Sequence, residues 1–186
     1  MRVIVGLSGA SGIVYGIRLL QVLREKNVQT ELVMTPMAKR MVELETDYKV
    51  EEIPSLATRV YGIDDLEAPI SSGGYPTDGM IVAPCSMKTL AGIACGYSAN
   101  LLLRAADVTL KEKRPLVLVP RETPLNVIHL ENMLHLARIG ATILSAMPAF
   151  YHRPQTIDQV TDFVVGKVLD ILHVGHNMYH RWGGQS

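Results

Sequence analysis

Residues 107–124, DVTLKEKRPLVLVPRETP, carry the pattern that decides the fold. Their centre, 116–119, is a short unbroken apolar run, which is typical of a strand buried on both faces of a parallel sheet. Arg121 and Glu122 follow it directly. Because open α/β sheets bind ligands beyond the carboxyl ends of their strands, this pair predicts an anion clamp beside an acid/base group. A solvated turn in which Thr123-Pro124 caps a helix would explain the same residues.

Strands and helices alternate along the rest of the chain. The other predicted strands are residues 3–7, 30–34, 80–83 and 141–144, and the predicted helices are 13–26, 36–45, 50–57, 90–96, 100–113, 126–139 and 157–172. No crossover is too short to join parallel strands. We therefore predict one domain over residues 1–186, an α/β fold with a doubly wound, Rossmann-like parallel sheet and helices on both faces, ending in a tail at 174–186.

The bulk composition excludes several classes of partner. The 186 residues hold 18 Lys plus Arg and 18 Asp plus Glu, so charge indicates neither nucleic acid nor an anionic membrane as a partner. No apolar run approaches the roughly 18 residues of a membrane span, and the N-terminal run, broken by Gly6, is too short for a signal peptide. Cys85 and Cys95 lack metal-ligand spacing, which favours a reduced, cytoplasmic setting.

Small and hydroxyl residues follow several of the predicted strands. The sequence SGASG at 8–12 joins a strand to a helix, which is typical either of a phosphate-binding turn or of a tight turn needed for packing. Thr35 precedes Pro36 as a helix N-cap, and Ser86 or Thr89 caps the helix after the third strand. Because these groups gather at one edge of the sheet, we predict a site for a nucleotide-sized ligand there.

Four other residues invite a functional interpretation. Cys85 is a possible nucleophile, but a buried structural thiol fits better because no base lies near it in sequence. His129 and His135 fall on opposite faces of one predicted helix, so we interpret both as structural and predict no metal site. Trp182, the only tryptophan, packs on a neighbouring element or subunit, or forms a ligand lid.

Taken together, the motifs resemble those of the UbiX-type flavin prenyltransferases, a flavoprotein family that includes the B subunits of phenolic-acid decarboxylases. The motifs are SGASG at 8–12, PCSMKTLA at 84–91, RAADV at 104–108, LKE at 110–112, PLVLVPRETPL at 115–125, IHLENM at 128–133, PAFY at 148–151 and RW at 181–182. The resemblance implies transfer of a dimethylallyl group from dimethylallyl phosphate to N5 and C6 of reduced FMN, without a metal. It also implies a homododecamer with sites at subunit contacts, and a UbiD-type decarboxylase that receives the prenylated flavin.

The resemblance also assigns roles to individual residues. Those implied to hold FMN are Gly9, Ala10, Ser11, Thr35, Ser86, Met87, Lys88, Thr89 and Arg121. Tyr151, Lys167 and Arg121 would bind the prenyl phosphate. Ser11 would stand close to the flavin N5 and act in catalysis with Glu122, the acid/base candidate, and with Lys111, which would pair with Glu122 or with phosphate.

Two positions depart from the family pattern, and two other functions compete with it. Leu66 stands where many relatives carry a tryptophan, and Lys167 stands where some carry arginine. An FMN-dependent cysteine-peptide decarboxylase would need a histidine after an early helix, yet the first histidine is His129. A non-catalytic flavin carrier would leave the charged residues of the predicted site without a purpose.

Overall fold

The computed structural model describes residues 1–183, and the last three residues of the predicted tail, 184–186, lie outside them. The strands are β1 (Arg2–Leu7), β2 (Gln29–Met34), β3 (Arg59–Tyr61), β4 (Gly79–Cys85), β5 (Leu116–Pro120) and β6 (Thr142–Ile143). The helices are α1 (Ile13–Glu25), α2 (Pro36–Glu45), α3 (Met87–Ala94), α4 (Leu101–Lys111), α5 (Val127–Arg138) and α6 (Ile157–Ile171), with short 3₁₀ turns at Val50–Leu56 and Pro69–Ser71.

All strand pairs are parallel, in the order β3-β2-β1-β4-β5-β6. Side chains alternate across β1, so that Val3 and Val5 join the core beneath α1 and α6 while Ile4 joins the core beneath α3 and α4. Apolar layers therefore cover both faces of the sheet, and the predicted doubly wound α/β fold is confirmed.

This strand order places a topological switch point between β1 and β4. The chain moves outward from β1 to β2 and β3, then returns to the other side of β1 with β4. The turns that leave β1 and β4 consequently diverge and open a crevice at the carboxyl edge, where ligands of such sheets bind. Among residues 1–183, no helix is both long and apolar enough to cross a lipid bilayer.

Some element predictions were wrong. The strand β3 was not predicted, because it has three residues at the sheet edge and both Arg59 and Val60 are exposed, so no apolar run marks it. The helix predicted at 50–57 is a 3₁₀ turn over Val50–Leu56 whose N-cap is Lys49.

The orientation of α5 also differs from the prediction. The helical spacing of Leu130, Met133, Leu134 and Ala137 predicts that these four side chains face inward, but the exposed fractions of Leu130 and Leu134 are 52% and 51%. Leu136 is the fully buried residue of this helix, and Val127 and Ile128 are exposed as well. Helical periodicity identifies an apolar face, but it cannot distinguish a face that packs in the chain's own core from one that covers a neighbouring molecule.

Candidate active site

The turns after β1 and β4 are joined through one buried serine. The Ser8 hydroxyl donates to the Pro84 carbonyl oxygen at 2.9 Å and accepts from the Ser86 backbone N–H at 2.7 Å. Ser8 has no exposed surface, so its hydroxyl is committed to this bridge. Its role was missed from sequence, because nothing local distinguishes a bridging serine from one that faces a ligand.

Residues Gly9, Ala10 and Ser11 form the turn on the crevice side. A side chain at Gly9 would meet Met37, since an added Cβ would lie 2.3 Å from the Met37 Cγ. The Ser11 carbonyl oxygen accepts a hydrogen bond from Arg121 Nε at 3.2 Å. The structure thus brings the turn after β5 to the turn after β1, as predicted from the convergence of strand ends.

The N-terminus of α1 already faces an anion of the protein itself. Glu45, the last residue of α2, accepts hydrogen bonds at Oε2 from the backbone N–H groups of Gly12, at 2.8 Å, and Ile13, at 3.1 Å. Of the two interpretations of this turn, a phosphate-binding turn would need these donors to be free. In the folded chain they are paired, so the electrostatic attraction of this helix end is largely neutralised.

The N-terminus of α3 offers the better anion site. Ser86 is its N-cap: its Oγ accepts from the Thr89 N–H at 3.2 Å and donates to Thr89 Oγ1 at 3.1 Å. This settles the two alternatives left by the sequence in favour of Ser86. The N–H groups of Met87 and Lys88 lie in the first turn, where a helix provides no internal acceptors. An anion beyond Ser86 would therefore meet unpaired donors and the positive end of the helix dipole.

Thr35 lies at the adjacent strand end. Its backbone N–H donates to the Leu7 carbonyl oxygen at 3.0 Å, and its Oγ1 accepts from the Ala38 N–H at 3.1 Å, which caps α2. The predicted cap is therefore confirmed. Because Leu7 is the last residue of β1, Thr35 stands beside the crevice where the turn at Gly9 begins.

The Arg121–Glu122 pair borders a small cavity of about 90 Å³. Leu125, Met133 and the segment 145–147 complete its wall. The Glu122 side chain is exposed, and within the described range 1–183 its one hydrogen bond is accepted at Oε1 from the neighbouring Thr123 N–H, at 3.2 Å. Its other oxygen is therefore available to a ligand. Asn126, rather than Thr123, caps α5, with its Oδ1 accepting from the His129 N–H at 2.9 Å.

Within one chain Lys111 is not part of this constellation and does not pair with Glu122, while the alternative partner, phosphate, stays a prediction. It ends α4 and pairs with Glu112, beside Gly73. Since α4 runs antiparallel to the strands, its C-terminus lies at their amino ends, whereas Glu122 follows the carboxyl end of β5. The five residues of β5 separate the two edges by about 17 Å.

Tyr151 packs against α6, and Lys167 is a residue of that helix. The Tyr151 ring meets Phe163 and Trp182 edge-on, with centroid distances of 6.2 and 5.4 Å. Lys167 Nζ lies 3.6 Å from Asp170 Oδ2. Among residues 1–183, no hydrogen bond links Arg121 to Tyr151 or Lys167, so their joint binding of one phosphate stays a prediction. Trp182 packs on its own chain.

The remaining single-residue interpretations have clear outcomes. Cys85 is fully buried, and burial raises the pKa of its thiol far above the usual value, which fits the structural interpretation. His129 Nδ1 accepts from the Asn126 N–H at 3.4 Å and thereby completes the cap of α5. Tyr75, in the loop at 62–77, donates its hydroxyl to the buried Glu31 at 2.9 Å.

Comparison with known proteins identifies relatives that match this chain over its whole length. The family model "Flavoprotein" matches residues 1–169. The flavin prenyltransferase UbiX of Thauera aromatica is 50% identical over 186 residues, which are 100% of this chain and 96% of that protein.

Two solved structures superpose closely. A dodecameric FMN-dependent UbiX-like decarboxylase from Escherichia coli O157:H7 is 54% identical with a TM-score of 0.97, and the match covers 99% of this chain and 100% of that one. AnUbiX (PadA1), in complex with FMN and dimethylallyl pyrophosphate, is 47% identical with a TM-score of 0.98, and the match covers 100% of this chain and 98% of that one.

Proposed function

The chain belongs to the flavoprotein family, among its UbiX-type flavin prenyltransferases, and on this premise we propose that it transfers a dimethylallyl group from dimethylallyl phosphate to reduced FMN. The product is FMN prenylated across N5 and C6, and phosphate is released. The observation that carries the proposal is the hydrogen bond from Arg121 to the Ser11 carbonyl oxygen. It joins the Arg121 cation, and with it the neighbouring Glu122 carboxylate, to the turn at the switch point.

The residues at the crevice fit a flavin mononucleotide. The phosphate is best placed at the N-terminus of α3, where Ser86, Met87, Lys88 and Thr89 present hydroxyl and N–H donors. The other candidate position for this phosphate, the N-terminus of α1, is already paired with the Glu45 carboxylate. The turn at 9–11 carries only small side chains, so a flat ring system can approach its backbone closely. When bound, the reduced flavin supplies the nucleophilic N5 and C6 atoms.

Breaking the allylic C–O bond leaves an allyl cation and a phosphate anion. Arg121, Lys167 and the Tyr151 hydroxyl are the donors proposed to hold the phosphate of the prenyl donor both before and during its departure, and such contacts strengthen where water is excluded. Glu122, with one oxygen free of the protein, is proposed to accept or deliver the proton that ring closure and phosphate departure require. Holding the donor against the flavin makes the attack effectively unimolecular.

The α5 surface supports a homo-oligomer, and we propose a dodecamer like that of the E. coli relative. Val127, Ile128, Leu130 and Leu134 expose a row of large apolar side chains, which a second copy of the chain would remove from water. In such an assembly, Lys111 reaches a phosphate only if its edge of the sheet meets the crevice of a neighbouring subunit. Its proposed catalytic role therefore depends on a subunit contact.

Replacing Leu134 with Glu is expected to reduce the assembly to smaller species. Burying a carboxylate without a partner costs several kcal/mol, and a leucine normally contributes about 1.5–3 kcal/mol at such a contact. Multi-angle light scattering measures the change in mass. Lys26→Glu, at an exposed position that ends α1, is the matched control and should keep the wild-type mass. An unchanged mass for Leu134→Glu would exclude this face as a subunit contact.

The two competing functions receive less support. The cysteine-peptide decarboxylase alternative would need a histidine after an early helix, whereas the first histidine of the sequence, His129, lies in α5 and completes its N-terminal cap. The flavin-carrier alternative leaves unexplained why Arg121 and an unpaired Glu122 oxygen border the crevice. A UbiD-type decarboxylase is the proposed recipient of the product, as the family resemblance implies. Two free cysteines support the proposed cytoplasmic location.

One incubation tests the proposal directly. The protein is mixed anaerobically with reduced FMN and either dimethylallyl phosphate or the diphosphate, and the released flavin is analysed by mass spectrometry. We expect the flavin to gain one C₅H₈ unit and inorganic phosphate or diphosphate to appear. A flavin of unchanged mass with both donors, after reduction has been verified spectroscopically, would contradict prenyl transfer. Comparing the incubations with the monophosphate and the diphosphate also establishes which prenyl donor the enzyme uses.

A further inference from the structure

The end of the described chain is fastened to α6 by one carboxylate. We call residues 174–182 the C-terminal strap. Asp170, in the last turn of α6, accepts at Oδ1 from Arg181 at 2.6 Å and from His176 Nε2 at 3.1 Å. Its Oδ2 accepts from the Tyr179 hydroxyl. Three strap residues, spread over six positions, thus converge on a single side chain.

Close packing reinforces this attachment. An added Cβ at Gly166 would lie 2.6 Å from the Tyr179 ring and 2.9 Å from the His176 ring, so the strap lies directly on the helix backbone. One turn earlier, Phe163 packs against Tyr179 with ring centroids 4.8 Å apart. A glycine and an aromatic residue on one face of α6 therefore form the seat into which the strap fits.

The strap ends on a residue of the proposed phosphate site. Trp182 meets the Tyr151 ring edge-on at a centroid distance of 5.4 Å and an interplanar angle of 82°. The Tyr151 ring also meets Phe163 of α6 edge-on, at a centroid distance of 6.2 Å. Asp170 also lies 3.6 Å from Lys167, the second residue proposed to bind phosphate. One carboxylate is thereby connected to both donors, to Lys167 directly and to Tyr151 through the strap.

The electrostatics of Asp170 fit a permanently ionised anchor. Partial burial alone would raise the pKa of this carboxyl, but hydrogen bonds from Arg181, Tyr179 and His176 outweigh the burial and hold the pKa far below its usual range. The same contact acts in the opposite direction on Tyr179, whose pKa rises to about 12 through burial and through its bond to the carboxylate. The carboxylate is therefore charged, and the phenol neutral, across the physiological pH range.

We propose that Asp170 is a positioning residue for prenyl transfer: it fixes the C-terminal strap so that Trp182 holds Tyr151, and it orients Lys167, toward the phosphate of the prenyl donor. The inference rests on the proposed function and adds a residue that does not itself touch the substrate. It predicts that loosening the strap weakens donor binding while leaving the bond-making step intact, because FMN and Glu122 are held by other elements.

The test combines two variants with a control on the same helix. Asp170→Asn removes the charge that gathers the strap, and Trp182→Ala removes the strap's contact with Tyr151 while leaving Asp170 unchanged. Asp162→Asn, also on α6, breaks an ion pair with Arg18 at 2.7 Å; among residues 1–183, the Asp162 side chain forms hydrogen bonds with Arg18 and with no strap residue. The readouts, on FMN-loaded enzyme, are hydrogen–deuterium exchange of the peptide covering 174–182 and the kinetics of the prenyl transfer.

We expect Asp170→Asn to accelerate hydrogen–deuterium exchange of the C-terminal strap. It should also raise KM for dimethylallyl phosphate about tenfold, with little change in kcat. A factor of about ten corresponds to the free energy of one charge-assisted hydrogen bond. Trp182→Ala should raise KM similarly, and Asp162→Asn should change neither readout. Strap exchange as slow in Asp170→Asn as in the wild-type protein would overturn the anchoring role. An unchanged KM in both Asp170→Asn and Trp182→Ala would overturn the positioning role. If the wild-type enzyme transfers no prenyl group, the proposed function fails, while the exchange data still decide whether Asp170 anchors the strap.

Discussion

Glu122→Gln is expected to retain FMN and to lose about 10²- to 10⁴-fold in the rate of prenyl transfer, the range that general acid–base catalysis contributes. The Glu122 Oε1 accepts only the Thr123 N–H, and the amide oxygen of glutamine can accept the same bond. The turn is therefore preserved while the proton acceptor is lost. Single-turnover kinetics, with reduced FMN preloaded and dimethylallyl phosphate added by rapid mixing, separates the chemical step from cofactor binding.

The matched control is Glu25→Gln, an exposed carboxylate at the end of α1 on the amino edge of the sheet. It should keep wild-type turnover and FMN content. Wild-type rates in Glu122→Gln would remove this residue from the mechanism. Loss of FMN with a normal rate per bound flavin would instead make Glu122 a cofactor-binding residue. These outcomes are distinct because the FMN content is measured optically before the donor is added.

The sheet was largely predictable because buried strands carry their own signal. The runs at 3–7, 80–83 and 116–119 lack polar residues, and in the structure each lies between two helical layers. The strand β3 lacks this signal, because an edge strand with an exposed face need not be apolar. The orientation of α5 was predicted wrongly for a related reason. An apolar helix face does not reveal whether the chain's own core or a neighbouring molecule covers it.

The site was predictable where its geometry is local. Thr35 was identified as a helix cap, and Ser86 as one of two candidates with Thr89, because capping depends on a few consecutive residues. The pairings of Lys111 with Glu112 and of Glu45 with the α1 N-terminus depend on how distant segments pack. Asp170 gave no sequence signal either, because its donors lie on a strap that folds back over α6.

The second large effect is expected at Gly16, where α1 crosses β4. An added Cβ would lie 2.2 Å from the Ala83 carbonyl oxygen and 2.4 Å from the Leu7 Cδ2. The first of these atoms is backbone and cannot rotate away. Gly16→Val should therefore force α1 off the sheet, at a cost of about 3 kcal/mol or more. For a chain of this size, that corresponds to a lowering of Tm by about 6–12 °C.

This displacement should also reach the cofactor. Leu7 ends β1 and Ala83 lies two residues before the end of β4, and Ser8 bridges the turns that follow these strands, so a displaced helix disturbs both sides of the FMN crevice. We expect weaker FMN retention than in Gly62→Ala, where the added Cβ would meet only the Asp65 Cβ at 3.8 Å. Thermal melts at one protein concentration, and the FMN content after gel filtration, provide the comparison. A Gly16→Val protein with the wild-type Tm and a full FMN content would contradict this prediction. It would show that α1 can move away from Ala83 without opening the crevice at the switch point.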